Sequence, residues 1–136
     1  MPQHETMRLA LTGDSIITRR VGITLDQETR GLIELLTDTD VAFTNLEVLP
    51  NDFAGYPAKE SGGSHFATHP WVLDDLTDMG FNLFAFATNH SLDYSIEGLL
   101  AAMQVLDERG VAYAGVGENL ATSRMPVYLD TPMGSV

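Results

Sequence analysis

Residues 81–87, Phe-Asn-Leu-Phe-Ala-Phe-Ala, form a nearly continuous apolar run between two stretches of helical spacing. Few folds accommodate that arrangement. A short run with almost no polar alternation reads as a strand buried on both faces, the habit of parallel sheets covered by helices. The stretch before it opens with Thr68-His69-Pro70. It carries Val72, Leu73, Leu76 and Met79 as an apolar stripe and meets Gly80 at its end. The stretch after it, residues 95–109, places Ile96, Leu99, Leu100, Met103 and Leu106 on one face and stops at Gly110.

The alternation extends along the chain. Residues 7–12 read as a strand that ends in a tight turn at Gly13-Asp14. Residues 24–37 read as a helix capped by Thr24 or Asp26, with Leu25, Leu32, Ile33, Leu35 and Leu36 as its core stripe. Val41-Ala42-Phe43-Thr44-Asn45 and Val111-Ala112-Tyr113-Ala114 are further strands. A helical piece is expected over residues 119–123. Val127-Tyr128-Leu129 opens a fifth strand, and Thr131-Pro132-Met133-Gly134 reads as a hairpin turn. Pro50, Gly55, Pro57, Gly62 and Gly63 punctuate residues 46–68, a long irregular loop of the kind that is functional or mobile. The order βαβαβαβ predicts an α/β fold with a mostly parallel sheet and right-handed crossovers. The 136 residues suit a single domain, or the N-terminal part of a larger one.

Charge narrows the function. Nineteen acidic against seven basic residues leave a net charge of −12, and Lys59 is the only lysine. Such a chain has no basic face to neutralise nucleic-acid phosphates or to dock on an anionic membrane. The absence of cysteine removes disulfides, thiolate metal sites and cysteine nucleophiles together. No run is long enough to span a bilayer, and Met1-Pro2-Gln3-His4-Glu5-Thr6 has neither the basic nor the apolar part of a signal peptide. A cytoplasmic location without a membrane segment is the expectation.

Ligands of open α/β sheets bind outside the carboxyl ends of the strands. There stand Gly13-Asp14-Ser15, Asn45-Leu46-Glu47, Thr88-Asn89-His90 with Asp93, and Gly115, Gly117 and Asn119. Adjacent strands would bring Asp14, Asn45, Glu47, Asn89 and His90 together. Carboxylates, amide oxygens and an imidazole suit Mn²⁺, Mg²⁺, Fe or Zn²⁺, and such a site suits metal-assisted hydrolysis. Bound ions would also supply the cations that this acidic chain lacks for an anionic substrate. Simpler roles exist for each residue. Asp14 can bond turn amides, Asn45 and Asn89 can cap strand ends, and Glu47 can be a solvated charge. Asp93 can cap the helix that starts near Ser95, or orient His90. His65 can reach the site or be solvated, His69 belongs to local structure beside Pro70, and His4 lies in the tail. Gly115-Val116-Gly117 lacks the continuation of a phosphate-binding fingerprint.

Gly13-Asp14, Asn45-Leu46-Glu47, Ala87-Thr88-Asn89-His90-Ser91-Leu92-Asp93-Tyr94, Glu97-Gly98-Leu99 and Gly115-Val116-Gly117-Glu118-Asn119 occur in that order. Together they resemble the CapA-like, poly-γ-glutamate capsule-synthesis family of bacteria. The resemblance implies a relative of the calcineurin-like metallophosphoesterases, here the N-terminal half of their α/β/β/α sandwich. It implies metal ligation by Asp14, Asn45 or Glu47, and Asn89, with one or two divalent ions in a full-length protein. It further implies that His90 is the leaving-group acid or a transition-state stabiliser, with Asp93 beside it. The chain has Gly13-Asp14-Ser15 where the phosphoesterase pattern opens with Asp-x-His, and it has no counterpart of the family's later histidine motifs. The expected function is a metal-dependent hydrolase of capsule or envelope polymer metabolism that acts on a small or polymeric anion, with little activity in this portion alone. Two alternatives are a non-catalytic module that binds an acidic polymer or its assembly machinery, and a flavodoxin-like ligand-binding domain. Pairing of copies through an exposed sheet edge is also expected.

Overall fold

The computed structural model describes residues 6–21, 27–60 and 63–136. Its elements run β1 (Leu9–Ser15), α1 (Gln27–Thr37), β2 (Val41–Leu46), α2 (Trp71–Asp78), β3 (Leu83–Ala85), α3 (Ser95–Arg109), β4 (Ala112–Ala114), α4 (Leu120–Ser123), β5 (Asp130–Thr131) and β6 (Gly134–Ser135). β1 to β4 form a parallel sheet in the order β1-β2-β3-β4. The α/β class and the parallel sheet are as the sequence predicts.

Strands laid down in sequential order by right-handed crossovers put every connecting helix on one face. The core has that form. Leu36 of α1, Val72, Leu73 and Leu76 of α2, and Leu99, Ala102 and Leu106 of α3 share one cluster with Ala42, Leu46 and Phe84 of the sheet. Leu9, Leu11, Phe43 and Leu83, which point the other way, lie outside it. The central run is therefore buried on one face rather than two: Phe84 is 1% exposed, whereas Leu83 and Ala85 are half-buried. The strand order has no reversal, so it also differs from the flavodoxin arrangement, whose ligand crevice needs one.

Local sequence accounts for most boundaries. Gly110 ends α3 in the left-handed conformation at φ 62°, where glycine carries no Cβ penalty. Asn119 caps α4 through its side chain, and Thr122 reciprocates. Both caps proposed for α1, Thr24 and Asp26, lie outside the described residues. The α1 stripe is only partly core, because Leu36 is buried while Leu32 and Leu35 are exposed. A single helix edge is enough to meet the sheet. The fifth strand does not join the sheet. β5 and β6 pair antiparallel as a separate hairpin around the expected turn, and Leu129 and Val136 exchange both backbone hydrogen bonds. Val127 and Val136 stand over the open sheet face, across a gap of about 310 Å³ lined by Phe43, Leu83 and Ala114.

The described residues within 46–68 are not the structureless loop expected. Val48, Leu49, Pro50 and Asn51 are buried, and Leu49 bridges Ala67 in parallel. Alternating Gly and Pro hide this from a sequence pattern, but the chain folds back on itself and docks on α3. At Gly55, φ is +87°, and an added Cβ would stand 2.4 Å from the Tyr94 carbonyl oxygen.

Candidate functional site at the strand ends

Asp14 sits inside β1 rather than in a turn after it. β1 and β2 are in register from Leu9↔Val41 to Leu11↔Phe43 and again from Asp14↔Asn45 to Ser15↔Leu46. One extra β1 residue is absorbed between them as a bulge. Paired residues of neighbouring strands share a face, and successive residues alternate. Without the bulge Asp14 would pair with Leu46 and point into the core. With it, Asp14 stands beside Asn45 on the open face, and Asn45 Nδ2 donates to Asp14 Oδ1 at 3.0 Å.

Glu47 follows β2, its N–H on the Ser15 carbonyl at 3.3 Å, and is 6% exposed. Burial pushes its carboxyl above the usual range, and the nearby Asp14 charge adds to this. The His90 ring and a hydrogen bond with the Thr88 side chain work the other way. Glu47 is thus a buried carboxyl within electrostatic reach of Asp14, His90 and Asp93, not a solvated loop charge.

The turn after β3 is built by its own hydroxyls. Ser91 Oγ donates to the Phe86 carbonyl at 2.5 Å and accepts from Thr88 N–H at 2.8 Å, while Thr88 Oγ1 accepts from His90 N–H at 3.1 Å. This presents the His90 ring. Its Nδ1 lies 2.7 Å from Asp93 Oδ2, and Asp93 is 2% exposed. The N-cap of α3 is Tyr94, without a side-chain cap, so the capping role open to Asp93 gives way to contact with His90. Asp93 Oδ2 also accepts from Phe66 N–H at 2.7 Å, and the Phe66 ring lies over His90 with centroids 4.4 Å apart. With Nδ1 engaged, Nε2 is the ring nitrogen left to meet a ligand.

The structure therefore groups Asp14, Asn45, Glu47, Thr88, His90 and Asp93. Asn89 is exposed and turns to the flank, where it lines a cleft of about 450 Å³ with Thr88, Ser91, Gly115, Gly117 and Ser123. Gly115, at φ +104°, serves close packing, since a Cβ there would lie 2.6 Å from the Ala87 Cβ. His65 is exposed, with Nε2 on the Ala58 carbonyl at 2.8 Å and its ring edge-on to Tyr94. His69 pairs with Asp52 at 2.5 Å and meets Phe53 edge to face, so it belongs to local structure. His4 lies outside the described residues. Sequence reasoning missed Phe66. Its signal was a large aromatic directly after the polar, glycine-rich Ser61-Gly62-Gly63-Ser64-His65, but nothing along the chain links it to Asp93.

Among the described residues, no three His, Asp or Glu side chains gather as a ligand set for an ion. A cation here would draw on the amide oxygen of Asn45 besides the Asp14 and Glu47 carboxylates, while Asn89 lies at the flank. That all-oxygen donor chemistry fits a hard divalent ion.

Fold and site together define an α/β chain with a carboxylate, amide and imidazole cluster at the carboxyl ends of a parallel sheet. Residues 8–136 match the family described as bacterial capsule synthesis protein PGA_cap, and the chain belongs to that family. Two similar curated proteins are the uncharacterized proteins y4sH and y4uA of Sinorhizobium fredii (strain NBRC 101917 / NGR234). Each is 37% identical over 131 residues, which cover 94% of this chain and 28% of the relative. The chain thus spans just over a quarter of the length of these relatives. Among the described residues, no helix is long and apolar enough to cross a membrane.

Proposed function

We propose that the chain supplies the strand-end cluster of a divalent-metal-dependent hydrolase that works on an anionic small molecule or polymer in capsule metabolism. The observation that carries this reading is the bulge in β1, which sets Asp14 beside Asn45 on the face where Glu47 and His90 also converge. The Asp14 charge adds to the upward push that burial gives the Glu47 carboxyl, and a cation between the two would relieve that repulsion. Asp14, Asn45 and Glu47 would hold the ion, with Asn89 at the flank. When bound, it would polarise the scissile group and activate water. Asp93 holds the His90 Nδ1–H, so Nε2 faces the leaving oxygen, and in the doubly protonated ring the Nε2 proton would pass to that oxygen and leave a neutral imidazole. The scarcity of fixed cations in a chain of net charge −12 supports an ion as the anchor for the substrate anion.

Calorimetric titration of the chain with Mn²⁺ tests this. Saturable binding is expected, and it is lost in Asp14→Asn and Glu47→Gln. No binding to a folded chain would overturn the metal reading. It would favour a second one, a non-catalytic module of the capsule machinery, in keeping with the absence of three clustered charged ligands among the described residues. Copies of the chain are further proposed to associate through the open face and the edge strand β1.

A further inference from the structure

Phe66 makes two contacts at once, one with its backbone and one with its ring, and both end on the same pair of residues. We propose that Phe66 is the positioning residue for His90, fixing which imidazole nitrogen faces the ligand. The proposal rests on the hydrolase reading for what Nε2 does, but not for the geometry.

Asp93 Oδ2 accepts both the Phe66 N–H and the His90 Nδ1 contact, each at 2.7 Å. A carboxylate that is 2% exposed needs such partners, and the amide supplies one that cannot rotate away. The backbone of Asp93 is held as well. Its carbonyl accepts from Ala58 N–H at 2.8 Å, and its N–H donates to the His90 carbonyl at 3.0 Å. Asp93 is thereby a fixed acceptor rather than a swinging one.

The ring of Phe66 deals with the remaining freedom. The second torsion of a histidine is broad and roughly two-fold, so a hydrogen bond to Nδ1 alone leaves the imidazole able to turn over. The Phe66 ring lies 4.4 Å from the imidazole centroid at 40° and occupies the space that such a turn would sweep. Phe66 is itself anchored, because its carbonyl accepts from the N–H of the buried Leu49 at 3.3 Å beside the Leu49–Ala67 bridge. The order of restraint runs from Leu49 to Phe66, then to Asp93, then to His90.

NMR of the metal-free chain tests this. In the wild type, cross-relaxation between the Phe66 ring protons and the His90 Cδ2–H is expected, with the imidazole proton on Nδ1 shifted downfield and slow to exchange. In Phe66→Leu that exchange is expected to speed up by about tenfold, the signature of a local opening made easier, while far-UV circular dichroism stays unchanged. Phe66→Tyr restores slow exchange. Wild-type exchange in Phe66→Leu would overturn the proposal. If Phe66→Leu fails to fold, the wild-type spectrum decides, and absence of the Phe66–His90 cross-relaxation overturns it. The readout needs neither ion nor substrate, so a failed Mn²⁺ titration removes the hydrolase reading and leaves this one standing.

Discussion

The two faces of the sheet use the same strands differently. On the helix side, Ala42, Leu46 and Phe84 interlock with α1, α2 and α3 in one cluster. On the opposite side, Leu11 is 73% exposed and Leu9 is 47% exposed. Val127 and Val136 of the hairpin segment line a gap on that side with Phe43 and Leu83. The difference teaches where stability and chemistry lie. The helix side holds the fold together, and the bulge in β1 reserves the open side for Asp14 and Asn45.

Substitutions that treat the faces alike would break this contrast. Phe84→Ala should cost about 3–5 kcal/mol in chemical denaturation, since it empties a closed core. Leu11→Ala should cost about 0.5 kcal/mol or less, as an exposed position does. Equal losses at the two sites would show that the open face is packed in solution. Arg20→Ala should come next in size on the helix side. Arg20 Nη1 lies 2.6 Å from Asp75 Oδ1, and the guanidinium lies over Trp71, 4.9 Å from the ring centroid. Removal leaves the mostly buried Asp75 carboxylate with the Val21 N–H and without its counter-charge, and should cost about 1–3 kcal/mol, read from the denaturation midpoint.

Charge on the open face should sharpen the contrast without touching the fold. Leu9→Lys with Leu11→Lys should leave the thermal midpoint within a few degrees and lower the mass measured by light scattering at high concentration. An unchanged mass would remove that face from any self-association. The smallest effect concerns Asp74 of α2 and Arg109 of α3, 2.8 Å apart on the helix side. The hydrogen bond from Arg109 holds the Asp74 carboxyl below its usual 3.8. A depressed acid stabilises the folded chain above its unfolded pKa and loses that contribution as pH falls through the folded one. Asp74→Asn should therefore cost about 0.2–1 kcal/mol at neutral pH, as partly exposed pairs do. The difference from wild type should fade as pH falls below the usual 3.8 and through the depressed pKa of the folded chain.

How far the sequence carried differs between these regions. Residues 95–109 were legible as α3 to the residue, because a stripe at helical spacing met a glycine suited to the left-handed turn. The sheet was legible from its alternating elements, but not its one-sided burial. Apolar runs look the same whether one face or two is covered, and only the strand order decides. The candidate residues were legible as types at strand ends. Their grouping was not, since the placement of Asp14 depends on a register that only the partner strand defines. The contact of Phe66 with Asp93 and His90 joins positions 27 and 24 residues apart, with no local pattern to mark it.

The parallel bridge between Leu49 and Ala67 ties off the loop at its base, just ahead of Phe66 on the way in and behind it on the way out. Within the closed loop, Phe66 and Ala58 are the residues tied to the imidazole and to the Asp93 that holds it. Lengthening a loop twofold costs only about 0.6 kcal/mol in closure entropy. The exposed Lys59 and Glu60 can therefore be rewritten, changing what approaches the strand ends, while Ala58, whose N–H holds the Asp93 carbonyl, and the base stay still. In this architecture variety at the rim and constancy at the imidazole are separable properties of one loop.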